Sequence, residues 1–212
     1  MKIIFCVPGL NFSNSFLSSW TKLIKYLESK NIEWESYFLY SPIIHNSRVF
    51  ISRYVSAMWP DYDYMMWIDS DMVFKPEHFE KLLYHKDKDI VSGVYLAKMK
   101  DEYGRRVYAM LNNNQKVTEE KLKNMKRDES GLIEMYSNGM GWMLVKKGVF
   151  EKLENCNKWK QPFISETLLD TKLHQDAFIE DTAFQQNAKE NGFKCYIDPS
   201  IIIGHEKPEI LQ

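Results

Sequence analysis

Tyr64-Met65-Met66-Trp67-Ile68-Asp69-Ser70-Asp71-Met72-Val73-Phe74 is the stretch from which the rest of this 212-residue chain is best read. Five uncharged residues, Tyr64 to Ile68, follow the turn-forming Pro60-Asp61-Tyr62-Asp63 and run straight into Asp69. An unbroken apolar run of this length predicts a buried strand of a mostly parallel sheet. Two carboxylates at its carboxyl end do not fit packing, because burying unpaired charge is costly. Ligands of open α/β sheets collect beyond the carboxyl ends of the strands. Extended residues two apart face one side, so Asp69 and Asp71 can both address one hard divalent cation that keeps sites for phosphate oxygens. The competing reading is a strand ending in a polar turn, with an Asp capping a helix that starts near Pro76. Asp-x-Asp alone does not choose between them. The apolar strand ahead of it favours the metal site.

Upstream, strands are expected over residues 2–7 and 33–40, with an amphipathic helix over 16–29 that carries Phe16, Leu17, Trp20, Leu23, Ile24 and Leu27 at helical spacing. A second helix, capped by Asn46 or Ser47, runs to about Met58. Strand, helix, strand, helix, strand predicts a right-handed, doubly wound start. The loop from Pro8, Gly9 and Leu10 to Asn14 then opens on the same edge as Asp69, where a nucleotide would lie. Arg48 and Arg53 ride on the second helix. Arg48, in its first turn, is the stronger candidate for a diphosphate. Arg53 fits a solvated helical face equally well.

Downstream, a helix from Pro76 to about His85 and a strand over 89–96 are expected, with His78 and His85 on the polar surface. Residues 98–130 are rich in Lys, Asn, Glu, Asp and Arg and read as a mobile loop with one short helix. A strand over 131–136 leads to Ser137-Asn138-Gly139-Met140-Gly141-Trp142. Two glycines beside a Trp mark backbone passing close to a ligand, or a bulge in a core strand. After a helix over 147–155, residues 156–175 are irregular, anchored by Trp159, Pro162 and Phe163, and form a second possible lid. Glu180-Asp181 opens a helix that ends at Gly192. Asp181 could simply cap it, an account that leaves Glu180 unexplained. Strands over 193–197 and 201–205 close the chain, and His205 ends an apolar run after a glycine, a setting like that of Asp69 and Asp71.

Composition bounds what this can be. With 44% hydrophobic residues, one α/β domain spanning 1–212 is the simplest organisation, its nucleotide half about 1–97 and its catalytic half about 98–212. Lys+Arg 28 against Asp+Glu 29 gives a net charge of −1, so no global field recruits nucleic acid or an anionic membrane. Three cysteines, an odd number, fit reduced thiols in a cytoplasmic setting. No apolar run approaches the ~20 residues of a membrane helix, and the opening apolar residues are too few for a signal peptide. A soluble protein with no membrane insertion is expected.

Taken together, the order of these motifs resembles the GT-A nucleotide-sugar glycosyltransferases of the family 2 kind. Asp69-Ser70-Asp71 follows an apolar strand; Ser92-Gly93-Val94-Tyr95, Gly139-Met140-Gly141-Trp142, Glu180-Asp181 at a helix start and Gly204-His205 come in sequence, over nearly the whole chain. A fainter likeness is to the amino-terminal domain of large algal virus glycosyltransferases. The resemblance implies a Rossmann-like GT-A domain, a UDP-sugar or similar donor, and a glycan or glycoprotein acceptor. It implies Mn²⁺ or Mg²⁺ on Asp69 and Asp71 with His205 as a third ligand. Pro8, Gly9, Leu10, Arg48, Arg53 and Ser70 would hold the nucleotide, and Asn138, Gly139 and Trp142 would lie near the donor sugar or acceptor. Asp181, with Glu180 beside it, would be the general base of an inverting transfer, while retaining members place an acidic residue and a terminal Gly-His at similar spacing, so inversion is favoured and retention stays open. A metal-dependent phosphohydrolase and a non-catalytic nucleotide-sugar-binding module are the rival readings.

Overall fold

The computed structural model describes residues 1–112, 115–156, 160–165 and 180–206. Strands β1 (Lys2–Gly9), β2 (Glu33–Tyr40) and β3 (Tyr64–Ile68) lie parallel, in the order β2-β1-β3. Helices α1 (Asn14–Ser29) and α2 (Ile44–Met58) connect them. Ser13 caps α1 through its side-chain oxygen, which accepts from the Phe16 amide. The second helix begins earlier than its expected cap at Asn46 or Ser47, directly after Pro42, with no side-chain cap at all. β1 also runs past the expected break at Pro8. There it pairs only with β2, since β3 ends its pairing at Cys6, and a residue without an N–H is tolerated at such an edge.

Beyond β3 the sheet changes direction and then resumes. β11 (Trp142–Lys146) runs antiparallel between β3 and β5 (Ile90–Val94), β12 (Cys195–Ile202) lies parallel to β5, and β9 (Ile133–Glu134) closes the far edge. Among the described residues the sheet has seven strands, in the order β2-β1-β3-β11-β5-β12-β9. Five of them point one way, so it is mostly parallel, as expected. Alternation along the strands builds two cores. Ile3, Phe5, Val7, Met66 and Ile68 meet α1 and α3 (Pro76–Tyr84) on one face. Ile4, Cys6, Met65 and Trp67 meet α2, α5 (Val149–Leu153) and α6 (Glu180–Glu190) on the other. Both faces of β3 are buried, which is why its sequence shows no polar alternation.

Two expectations change. The segment 98–130 is a folded layer: β6 (Leu96–Lys100), β7 (Arg106–Asn112) and β8 (Gln115–Thr118) form antiparallel ladders, followed by α4 (Glu119–Asn124). β10 (Ser137–Asn138) joins β7 on its other side. Tyr108, Met110, Val117 and Leu122 cover Val94, Ile133 and Ile197 of the main sheet, forming a third small core. So few apolar residues anchor a layer only because the sheet supplies the other half of the contact. Likewise β12 runs unbroken where two strands were expected, with a register shift between Ile197 and Ile202 absorbing Asp198-Pro199-Ser200. His85 is half-buried with its Nε2 3.3 Å from Asp198 Oδ2, and so is less of a surface residue than its helix position implied. Phe163 anchors as expected, against Trp67, Phe150 and Phe184. Most of the second expected lid, with Trp159, lies outside the described residues.

Candidate functional site

β3 delivers Asp69 to the carboxyl edge of the sheet, and there the chain turns. The Met72 amide donates to the Asp69 carbonyl at 3.1 Å, so Asp69-Ser70-Asp71 forms a tight turn rather than continued strand. β4 (Met72–Val73) then pairs antiparallel with β13 (Gly204–His205). Strand spacing therefore does not carry through the motif. The turn sends the two carboxylates to different partners, a correction to the same-side expectation.

Asp69 turns inward. Arg48 Nη2 donates to both its oxygens, at 3.0 and 3.2 Å, while Arg48 Nη1 donates to Glu180 Oε1 at 2.7 Å. One guanidinium thus ties the end of β3 to the start of α6. Arg48 is only 2% exposed. Burial works to lower its pKa, but the carboxylates of Asp69, Glu180 and Asp181 outweigh it and raise the pKa, keeping the cation charged. Its two terminal nitrogens are both engaged, so Arg48 braces the site from beneath and is not placed as the direct diphosphate ligand the sequence reading proposed.

Three carboxylates share this one cation, and Asp181 is the odd one out. Its Oδ1 accepts from the Thr182 amide at 2.9 Å, and no side-chain donor reaches it among the described residues. Burial pushes its carboxyl up to about 6; Glu180 and Asp69 add to the rise, while Arg48 and the Thr182 amide oppose it. A carboxylate that gains its proton near neutrality is suited to general-base chemistry. α6 is held in register by buried polar contacts: Ser137 Oγ lies 2.8 Å from Thr182 Oγ1, the Asn138 amide donates to Gln185 Oε1 at 2.9 Å, and Gln185 Nε2 donates to the Asn138 carbonyl.

Asp71 turns the other way, toward His205. Nε2 of His205 stands 3.3 Å from Asp71 Oδ2, while its Nδ1 lies 2.7 Å from the Leu96 carbonyl. Because a carbonyl can only accept, Nδ1 carries the proton there. Nε2 then faces a carboxylate oxygen, an arrangement that is favourable only with a second proton or a cation between them. An imidazole fixed through its far nitrogen by a backbone carbonyl is how metal-binding histidines are oriented. These two side chains fit a divalent cation. Asp69 does not complete the set as it stands: among the described residues no three His, Cys, Asp or Glu side chains gather on one point.

Between the loop after β1 and this turn lies a cleft of about 600 Å³, with Pro8, Gly9, Leu10, Phe12, Ile44 and Ser70 among its walls and Asp69 and Asp71 at its end. Gly9 packs against Ser70 so closely that a Cβ would overlap its side chain. A Cβ at Gly141 would stand 2.9 Å from Asp69 Oδ2 and 3.0 Å from Tyr95 Oη, so backbone does pass close to the motif there. Gly139 similarly abuts the Tyr95 hydroxyl.

Other expected contacts fall elsewhere. Arg53 is exposed on the outer side of α2, donating to the Lys160 carbonyl. Asn138 is buried, its Nδ2 donating to Ser92 Oγ and the Gly93 carbonyl, so it ties strands together instead of facing the cleft. Trp142 is fully buried against Phe74, with ring centroids 4.6 Å apart. Its ring lies inside the core cluster with Ile68, Met72, Phe74 and Ile201, covered from solvent.

Tyr95 was missed as a site residue. Its Oη accepts from the Gly141 amide at 3.0 Å and its ring meets His205 edge-on at 5.1 Å, so it stands between the Asp71–His205 pair and the carboxylate cluster. Burial holds its hydroxyl well above the ordinary range, and Asp69 and Asp181 reinforce this. A hydroxyl-bearing aromatic at the ligand end of a buried strand was the available signal.

The family model for glycosyl transferase family 2 matches residues 46–154, from α2 through the Asp69-Ser70-Asp71 turn to α5. No curated protein matches the chain. Among solved structures, A197 from STIV aligns with a TM-score of 0.58 at 18% identity, covering 98% of this chain and 87% of that one, a likeness of fold. The inositol-1-phosphate CTP transferase from T. maritima aligns at 0.48 and 12% identity, over 97% and 88% of the two chains. A glycosyltransferase involved in the glycosylation of the major capsid of PBCV-1 aligns at 0.36 and 14% identity, over 75% and 69%. With the strand-end carboxylates of the Asp69-Ser70-Asp71 turn inside a match that spans half its length, this chain belongs to glycosyl transferase family 2 and is a GT-A fold nucleotide-sugar glycosyltransferase.

Proposed function

We propose that the chain moves a hexosyl unit from a UDP-sugar to a hydroxyl of a glycan, with inversion at the anomeric carbon and with Mn²⁺ bound. The observation that carries this reading is the unequal treatment of three carboxylates by Arg48. Asp69 and Glu180 each accept a hydrogen bond from the guanidinium, whereas Asp181 takes none from it and its carboxyl is pushed up to about 6 by burial. In the transfer, Asp181 removes the acceptor proton as its oxygen attacks, and Arg48 and Glu180 keep Asp181 in place. The Pro8–Leu10 loop and Ser70 bind and orient the nucleotide, and Gly9 lets the Asp69–Asp71 turn sit close against it. A bound divalent cation would supply positive charge against the diphosphate leaving group. Asp71 and His205 would hold it, with the remaining positions left for phosphate oxygens; a nitrogen ligand favours Mn²⁺ over Mg²⁺.

The test is a thermal-shift titration of UDP with Mn²⁺ and with chelator, followed by NMR of the product's anomeric configuration. Mn²⁺-dependent stabilisation by UDP and an inverted product are expected. UDP binding unaffected by chelator overturns the metal assignment, and a retained configuration overturns the base assignment.

A further inference from the structure

A net charge of −1 conceals a strong polarity. Residues 96–124, which make up the β6–β7–β8–α4 layer, contain seven Lys and Arg against four Asp and Glu, a local charge of +3, which leaves −4 for the remainder of the chain. Within it Lys100 stands directly opposite Arg106 in the β6–β7 ladder, a like-charge pair that by itself costs stability. Lys116 Nζ donates to the Lys100 carbonyl at 3.4 Å and Lys121 Nζ to the Lys116 carbonyl at 3.2 Å, so the cations run side by side. Arg105 pairs with Asp101 and Lys123 with Glu119. Among the described residues no carboxylate pairs with Lys100, Arg106, Lys116 or Lys121.

The turn joining β6 to β7 presents Tyr103, 75% exposed, with the Arg105 guanidinium 5.0 Å above its ring. Tyr103 follows Asp101 and Glu102 and carries one cation on its ring; such an exposed ring, with an apolar body and a polar tip, suits a headgroup interface where the unpaired cations of the layer would meet phosphates. We propose that this layer docks the protein on an anionic lipid bilayer surface. A discrete anion is the poorer occupant. Arg105, Lys116 and Lys121 line a concavity of about 440 Å³, but Glu120 lines it too and would repel a single bound anion. A bilayer instead reads the summed charge of the face, and the negative remainder of the chain turns that face toward it. The layer also borders the transfer site, since Leu96 of β6 orients His205 and the Ala109 amide of β7 donates to the Tyr95 carbonyl. Docking stands independently of the donor, metal and stereochemistry proposed above.

Co-sedimentation of the full chain with phosphatidylcholine vesicles, with and without phosphatidylglycerol, tests it. Binding to the anionic vesicles alone is expected, lost at roughly 1 M salt where the Debye length falls to about 3 Å. Each cation near an anionic leaflet contributes a factor of roughly five, so Lys100→Glu/Lys116→Glu/Lys121→Glu should weaken binding at least about 100-fold. Its thermal unfolding should not fall below that of the wild type, since Lys100→Glu replaces a like-charge pair with an opposite-charge one, and its UDP-induced shift should stay unchanged, which separates lost docking from lost folding. Tyr103→Ala should weaken binding several-fold. No partition onto anionic vesicles, or wild-type partition by the triple variant, overturns the proposal. Capture by a soluble polyphosphate without any vesicle binding overturns it in favour of a polyanion site.

Discussion

Asp69 and Asp71 stand on either side of Ser70, yet they belong to different environments. Asp69 has both oxygens on Arg48 and its backbone amide on the Gly141 carbonyl, locked to the core. Asp71 lies on the rim, its side chain 35% exposed beside His205, in a corner made by two strands of two residues each. One turn thus feeds two machines. The inner one is a charge cluster braced by a buried cation, where protonation is tuned by burial. The outer one sets the part-exposed Asp71 carboxylate beside a His205 imidazole that is largely covered.

The most disruptive way to break this division is to remove the inner brace. Arg48→Met leaves three carboxylates crowded without a cation, and should cost about 3–5 kcal/mol in chemical denaturation, with transfer lost as α6 loses its anchor. A change under about 1 kcal/mol would mean that the cluster is not held by Arg48. Asp181→Asn sharpens the comparison instead. It keeps the acceptor for the Thr182 amide, so UDP binding should persist while transfer falls roughly 10²–10⁴-fold.

The same variant carries a pH signature. Folded Asp181 holds its proton up to about pH 6 where the unfolded chain loses it near the ordinary 3.8. Its contribution to stability is therefore greatest below pH 3.8 and is lost as pH rises through 6. Asp181→Asn should then match the wild type at pH 4 and exceed it above pH 7, by about 1–3 kcal/mol. Wild-type kcat/KM should rise with pH around 6, a limb that the variant lacks.

The outer pair should respond more gently and only when metal is present. His205→Ala is expected to weaken Mn²⁺ binding about 10–100-fold by calorimetry, with unchanged thermal unfolding in chelator. An equal effect in chelator would place His205 in the fold rather than at a ligand. The smallest change tests the link between the two regions: Tyr95→Phe leaves the Gly141 amide without its acceptor, at about 1–3 kcal/mol. If it shifts both the pH limb of transfer and Mn²⁺ affinity, the regions are coupled through Tyr95; a purely thermal effect would make it a packing residue.

How far the chain could be read before folding depends on whether local rules decided each feature. The strands over Lys2–Val7 and Tyr64–Ile68 were legible because a double-sided core requires continuous apolar runs, the edge strand over Glu33–Tyr40 because it is rich in aromatic residues and closed by Ser41-Pro42, and α1 because its apolar spacing has only one periodic solution. The layer from β6 to α4 was not. Its few apolar residues become a core only against Val94 and Ile197, which belong to strands far away in sequence. Trp142 misled for the same reason, since a Trp beside glycines reads alike whether it faces a ligand or the core.

The sequence alone therefore established the α/β class, the carboxylates at the sheet edge, and the order of motifs that marks the family, because strand burial and loop chemistry are written locally. Tertiary structure alone decided that Asp69 and Asp71 part company, that Arg48 is a buried brace, that burial raises the Asp181 carboxyl, and that the cations of residues 96–124 belong to one layer. Each of these depends on distances between residues far apart in the chain, and electrostatic energy is set by those distances and by burial, neither of which a linear order of residues contains.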